Sequence, residues 1–250
     1  MNYYIKEDEW KDIFQFLSSR KDIRSKKEAK LRIFIEAVYY IMRTGCQWRM
    51  LPTYYGKWRS IHQRFSRWVT KGIFEELFKS HHDEADTEWI MIDSTIIRAN
   101  ACSAGYQKDS GDEQGLGRSN GGFTSKIHAL VDALGNPLKF IVTPGQRNDI
   151  TQGEDLIDGF ENTAVIADKG YDSNALIDAI YAKSSRAVIP SKKNRKVKRE
   201  HDEDIYKERH LVECFFSKIK YFRRIFSRFD KTVKNFMGFL NFVGALIWLR

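Results

Sequence analysis

WIMID, residues 89–93, is a run of four apolar residues closed by an acid. An unbroken apolar run this short reads as a strand buried on both faces, so its acidic end, Asp93, is expected to open onto a cleft. The pattern recurs at residues 164–168, AVIAD, where Asp168 takes the acid's place and Gly170 and a helix over 174–182 follow. Strand, acid and helix in succession predict an α/β unit, a sheet flanked by helices. Between these strands, residues 126–131 and 138–142 read as two more, turning at LGNP, which predicts an antiparallel hairpin. A Gly- and Ser-rich stretch from Ala101 to Gly122 reads as a flexible loop. A short helix is expected over 151–157 and a further strand over 187–190.

Outward from this unit the periodicity becomes helical. Trp10, Phe14 and Leu17 share one face; Leu31, Ile35, Val38, Tyr39 and Met42 share another, in a helix expected to stop at Gly45. Ile61, Phe65 and Trp68 recur at helical spacing after Pro52 and Gly56, and helices joined by tight turns are the layout of a helix-turn-helix. Beyond the basic run Lys192 to Arg199, a long amphipathic helix is expected over about 206–226 and an apolar one from about 233. The division is therefore a small all-α unit over 1–82 and the α/β unit over 83–250.

The 250 residues are 42% hydrophobic, enough for a sizeable core, and carry a net charge of +9 with a pI near 9.3. The charge is +8 over residues 1–80, −8 over 81–190 and +9 over 191–250. Basic arms favour a polyanionic partner such as nucleic acid, whereas an acidic middle repels phosphate unless its carboxylates hold cations that in turn bind phosphate. Cys46, Cys102 and Cys214 are far apart and odd in number, which supports neither a disulfide framework nor a zinc site. No secretory signal opens the chain, and the apolar stretch 233–249 is short and interrupted for a bilayer span, so a cytoplasmic protein without membrane contact is expected.

Asp93 and Asp168 have a plain reading, since an aspartate after a strand often caps the next turn. Glu213 lies beside the apolar stripe Val212, Phe215, Phe216 and Ile219, so it borders the core. At about 100° per residue, Tyr206, Arg209 and Lys220 fall within roughly 20°, 40° and 20° of its direction. The plain alternative is an i,i+4 surface pair of Arg209 and Glu213, contributing only about 0.3–0.5 kcal/mol. If the three carboxylates converge, each like-charged pair at about 4 Å costs about 4 kcal/mol at an effective dielectric of about 20. Cations must then fill the site, and hard oxygen donors select two Mg²⁺ (or Mn²⁺) ions, suited to in-line attack on phosphorus.

DSTIIRA at Asp93, DKGYDS at Asp168 and the spacing Tyr206, Arg209, Glu213, Lys220 (Y-x2-R-x3-E-x6-K) together resemble the DDE transposases of the IS4/IS5 insertion-sequence superfamily, most closely the IS5 family. RTGCQWRMLP with YGKW, GGFTSKIHALVD and RRIFSRFDK extend the resemblance over nearly the whole chain. It implies an RNase H-like catalytic fold with a mixed five-stranded sheet, Asp93 on the first strand, Asp168 after the fourth, and Glu213 on a late helix. It also implies that Asp93, Asp168 and Glu213 are the catalytic metal ligands and that Tyr206, Arg209 and Lys220 contact DNA phosphates. Asn100 departs from the pattern, standing where many relatives carry His.

Such an enzyme acts on double-stranded DNA: it binds terminal inverted repeats, cuts, and joins the ends to target DNA, as a homodimer or higher assembly in the bacterial cytoplasm, nucleoid-associated when bound. Arg59, Arg64 and Arg67, near Trp58 and Trp68, are the candidates for reading the ends, although such tryptophans are more often core anchors. Lys192 and Lys193 are candidates for phosphate contact, against the plain reading of a solvated loop. His81 and His82 read as a polar linker, and His128 as a structural histidine. A nuclease of the same fold and a non-catalytic DNA-binding relic are the rival readings.

Overall fold

A computed structural model describes residues 4–103, 114–119 and 122–250. Helices α1 (Glu7–Ser19), α2 (Glu28–Thr44), α3 (Trp58–Thr70) and α4 (Ile73–Lys79) come first. Strands β1 (Trp89–Ala99), β2 (Gly117–Ser119), β3 (Gly122–Val131) and β4 (Pro137–Pro144) follow, then α5 (Gly153–Ile157), β5 (Ala164–Ala167), α6 (Asn174–Ala182) and β6 (Arg186–Val188). The chain closes with α7 (Glu203–Lys207), α8 (His210–Lys220), α9 (Arg223–Phe226), β7 (Ser227–Arg228) and α10 (Val233–Trp248).

The main sheet runs β4-β3-β1-β5-β6. Its first three strands are antiparallel, and β5 and β6 continue parallel to β1, which is the RNase H-like order. Five strands were expected; β2 beside β3 and β7 beside β1 add two short ones. Along β1, Ile90 and Ile92 enter one layer with Val165, Leu176 and Ile180, while Met91 enters the other with Ile166 and Phe215. Period-2 alternation in a strand covered on both faces explains why WIMI is apolar without interruption.

Two expectations need correction. The first strand does not end at Asp93: β3 pairs with β1 from Met91 to Arg98, so Asp93 sits in mid-strand. The helix expected over 206–226 is three pieces. The N–H groups of Arg209, Leu211 and Val212 bond three residues back, tightening the join between α7 and α8. Phe222 is extended and buried beneath the Arg43 guanidinium, 5.0 Å from its ring, and this burial outweighs continued helix. Of the Gly-rich stretch, residues 104–113 and 120–121 lie outside the described residues, while Gly117–Ser119 is paired strand and not loop.

The helical N-terminal part shares a core with the sheet's outer layer. Phe65 stacks on Phe239 of α10 at 4.4 Å, Phe74 lies 5.4 Å from Phe242, and Phe78 stacks on Phe140 of β4 at 5.2 Å. Gly244 is what allows α10 to lie this close, since a Cβ there would meet Phe78 Cε2 at 2.6 Å. At the far end of α2, Gly45 takes a left-handed turn (φ +66°) and its N–H bonds Ile41 O, closing the helix as its sequence position predicts. Among the described residues no helix is long and apolar enough to cross a membrane, and the three cysteines are unpaired.

Candidate active site

Register brings the first two acids together. Ile92 of β1 pairs with Ala167 of β5, so Asp168, the next residue, emerges beside Asp93 on the neighbouring strand. Asp168 also does what its plain reading predicts: it caps the short turn Lys169–Tyr171, its Oδ1 accepting the Gly170 N–H at 2.8 Å. Asp93 Oδ1 accepts the Ser94 N–H at 2.7 Å, and Asp93 Oδ2 accepts Arg209 Nη1 at 2.8 Å. The same guanidinium pairs through Nη2 with Glu213 Oε1. Arg209 thus joins the sheet acid to the helix acid, and the surface pair read from the spacing is half of a three-residue bridge.

Burial pushes the Asp93 carboxyl up to about 6, and the charges of Asp168 and Asp149 add to it, against the Ser94 N–H and Arg209. Glu213, with 57% of its side chain exposed, is the most open of the three. Among the described residues, no three His, Cys, Asp or Glu side chains are gathered tightly enough to hold a metal ion as they stand. The donors themselves fit a hard divalent cation, being carboxylate oxygens without thiolate or imidazole among them. The Arg209 guanidinium, between Asp93 and Glu213, is the positive charge that this arrangement supplies.

The carboxylate that the sequence reading missed is Asp149, in the turn after β4. Its Oδ1 accepts Ser94 Oγ at 2.6 Å and pairs with Lys126 Nζ at 2.8 Å. His128, cross-strand from Ser94, is fully buried, bonded through Nε2 to Thr143 Oγ1 at 2.8 Å, with Nδ1 4.0 Å from Asp149 Oδ1. Ser94 therefore links the two aspartates, its N–H on Asp93 and its hydroxyl on Asp149. Nothing in GQRNDI marks this acid, because its partners lie 21 or more residues away; only the recurrence of acids at strand exits would have singled it out.

Burial, with Lys126 nearby and against the pull of Asp149, lowers the His128 imidazole to about 4. A histidine held neutral below its unfolded value, about 6.5, loses stability as pH falls, because only the unfolded chain takes the proton between 6.5 and 4. The contribution lost is on the order of 3 kcal/mol. In urea titrations at pH 7.5 and 4.5, His128→Gln is expected to lose less stability than the parent; parallel losses would contradict the buried neutral ring.

The other predicted residues fall into two groups. Tyr206 lies on α7 against His201, ring centroids 5.4 Å apart, and Lys220 at the end of α8 is half-buried. Arg59 and Arg67 are exposed on α3, whereas Arg64 is half-buried over Phe34 (4.2 Å) and Trp68 (4.8 Å), a packing position that leaves it turned to the core. Trp68 is a core anchor, as its plain reading had it, and His82 packs edge-on against Phe78. Lys192 and Lys193 line an open cleft of about 370 Å³ together with Asp168, Lys169, Gly170 and Asn194.

An RNase H-like sheet with acids emerging from adjacent central strands, and a third on a helix laid across them, defines the class of polynucleotidyl transferases. The family profile described as "Transposase DDE domain" matches residues 84–248, and one described as "Putative transposase of IS4/5 family" matches residues 5–78. The chain belongs to the DDE transposases, enzymes of DNA cleavage and transfer, and within them to the IS4/IS5 type. It is 44% identical over 130 residues to the "Putative transposase for insertion sequence element IS6501" of Brucella ovis, covering 51% of this chain and 99% of that one. It is 31% identical over 135 residues to the "Putative transposase for insertion sequence element IS402" of Burkholderia cepacia, covering 49% of this chain and 62% of that one. Among solved structures, a piggyBac transposase synaptic complex with hairpin DNA overlaps 77% of this chain and 43% of its own, at a TM-score of 0.32 and 14% identity. DDE domains depend in general on divalent metal ions.

Proposed function

We propose that this transposase binds the terminal inverted repeats of an IS5-family insertion sequence, cuts at the ends and joins them to target DNA. Residues 1–82 are the DNA-reading unit and residues 83–250 the catalytic unit. Asp93, Asp168 and Glu213 would hold two Mg²⁺ or Mn²⁺ ions. The observation that carries this reading is the bridge: Arg209 spans Asp93 and Glu213 while Asp168 lies one register step away.

The metal pair, when bound, supplies activation of the attacking hydroxyl and stabilisation of the leaving oxygen. The chain's own groups do the rest. Ser94 fixes one oxygen of Asp93, leaving Oδ2, now on Arg209, as the free face. Arg209, with Tyr206 close by, would pair with a phosphate once its carboxylates are given over to metal ions, and Lys220 at the far end of α8 would contact the backbone further along. Arg59 and Arg67 project from α3 toward a duplex. Pairing two ends calls for at least a dimer, and such an enzyme works at the bacterial nucleoid.

The test incubates the protein with duplexes carrying the repeats that flank its gene, in Mg²⁺, Mn²⁺ or EDTA, beside Asp168→Ala. Metal-dependent cuts at the repeats, joined products, and loss of both in the variant are expected. Cleavage without joining would indicate a nuclease, and binding without cleavage a DNA-binding relic.

A further inference from the structure

The run SKKNRKVKR, residues 191–199, contains six cations and reads as a solvated basic loop, yet it is tied down at one buried point. The Asp172 side chain is only 2% exposed. Its Oδ2 accepts the Lys192 N–H at 2.8 Å and Arg195 Nε at 2.8 Å; its Oδ1 accepts Arg195 Nη2 at 2.7 Å and Arg199 Nη1 at 2.9 Å. Four donors fill the roughly four lone-pair sites of a carboxylate. Asn174 Oδ1 accepts Arg195 Nη1 at 2.9 Å and Arg199 Nη2 at 2.6 Å, and Ser191 Oγ accepts the Arg199 backbone N–H at 2.8 Å, closing the loop on itself. Burial raises the Asp172 carboxyl, but Arg195, the Lys192 N–H and Arg199 outweigh it and hold it below its ordinary value.

Two of the cations are thereby spent inward, and the others are sorted. Lys192 and Lys193 are carried to the cleft at Asp168, where Lys169 joins them. Among the described residues none of these three lysines has a carboxylate partner, whereas both arginines of the loop pair with Asp172. Three lysines that line one cleft, none with a carboxylate partner among the described residues, make it a site suited to an anion. Lysines, as compact point charges without planar hydrogen-bond geometry, suit phosphate oxygens read for charge and not for sequence.

We propose that Asp172 is a positioning residue that folds residues 191–199 onto the active-site edge, so that Lys192, Lys193 and Lys169 hold a backbone phosphate of the DNA strand lying next to Asp168. This rests on the DNA-cutting reading above. It assigns that strand's path to the side of Asp168 away from Arg209, and it separates the run's arginines, which build the loop, from Lys192 and Lys193, which touch DNA.

The test is a mutant cycle read by fluorescence anisotropy in EDTA, so that no cutting or metal binding enters. The probes are a labelled duplex carrying the inverted repeat and a scrambled duplex of equal length. Lys192→Ala with Lys193→Ala is expected to weaken binding to both duplexes about equally, on the order of 10-fold, and to flatten the log–log salt slope by roughly 1, the share of one phosphate. Asp172→Ala is expected to cause a similar loss in the parent and almost none once the lysines are gone. If Asp172→Ala unfolds by circular dichroism, Arg195→Gln with Arg199→Gln releases the same pin and takes its place in the cycle. Undiminished loss in the lysine-free background would make Asp172 a purely structural residue and overturn the proposal, as would an unchanged salt slope in the lysine variant. If the parent protein binds neither duplex, the DNA reading falls with it; if the parent binds and the cycle fails, only this inference does.

Discussion

Asp93→Asn is expected to lower DNA cleavage and joining by at least about 10³-fold, since catalysis by a set of metal ligands acting as a unit collapses when one is lost. It should do so while leaving duplex binding within a few fold, because the side-chain volume is kept and Arg209 retains Glu213. The same substitution is expected to stabilise the metal-free protein. The Asp93 carboxyl is pushed up to about 6, so ionising it costs the fold. That cost is absent below about pH 4, grows as pH rises from 4 to 6 and is complete above, where it amounts to something on the order of 3 kcal/mol. In EDTA the variant should therefore melt higher than the parent at pH 8 and alike at pH 4. Activity within tenfold of the parent would remove Asp93 from the catalytic set. Loss of activity accompanied by a lower Tm at pH 8 would assign the effect to folding instead.

What could be read in advance divides along a physical line. Elements decided by local periodicity and punctuation were legible: the apolar runs at 89–92 and 164–167, the hairpin around LGNP, the helix over 174–182 and the stop at Gly45 are where their residues put them. Features decided by tertiary partners were not. Nothing around Phe222 announces that it leaves the helical path to be buried against α2, since the reason is Tyr39, nearly two hundred residues earlier. The same holds at the site. Helical spacing showed that Arg209 and Glu213 could pair, but the second arm of that guanidinium reaches Asp93, 116 residues away. Asp149 and Asp172 drew no reading of their own, because Ser94, Lys126, Arg195 and Arg199 define them only in three dimensions. Arg64 shows the converse side: its spacing gave no sign that the guanidinium lies over Phe34 and Trp68, both buried in the helical part.

Asp230→Ala is expected to cost about 3–5 kcal/mol, the loss typical of stripping one partner from a buried ion pair. Arg224 and Asp230 are 3% and 6% exposed and meet in a two-pronged contact, Nε to Oδ2 at 3.0 Å and Nη2 to Oδ1 at 2.9 Å. Arg224 Nη1 also donates to Cys46 O at 3.1 Å, and its guanidinium lies 5.0 Å from the Phe239 ring. Arg228, fully buried, donates to Asp230 O at 3.0 Å and to Ser125 Oγ at 2.9 Å, and burial lowers its guanidinium to about 10 despite the Asp230 charge. Removing the carboxylate leaves two guanidinium groups in the interior with no counter-charge. A drop in Tm of roughly 10 °C is the corresponding shift for a chain of this size. The companion variant, Arg224→Met with Asp230→Leu, should lose distinctly less than Asp230→Ala, because the desolvation penalty of the pair vanishes with it. Equal losses would mean that the pair contributes shape and not charge. The clamp ties the turn after α2 to β7, which pairs with β1 a few residues beyond Asp93. Its failure should therefore loosen the helical part from the catalytic sheet, and specific binding of inverted-repeat DNA should fall before non-specific binding does.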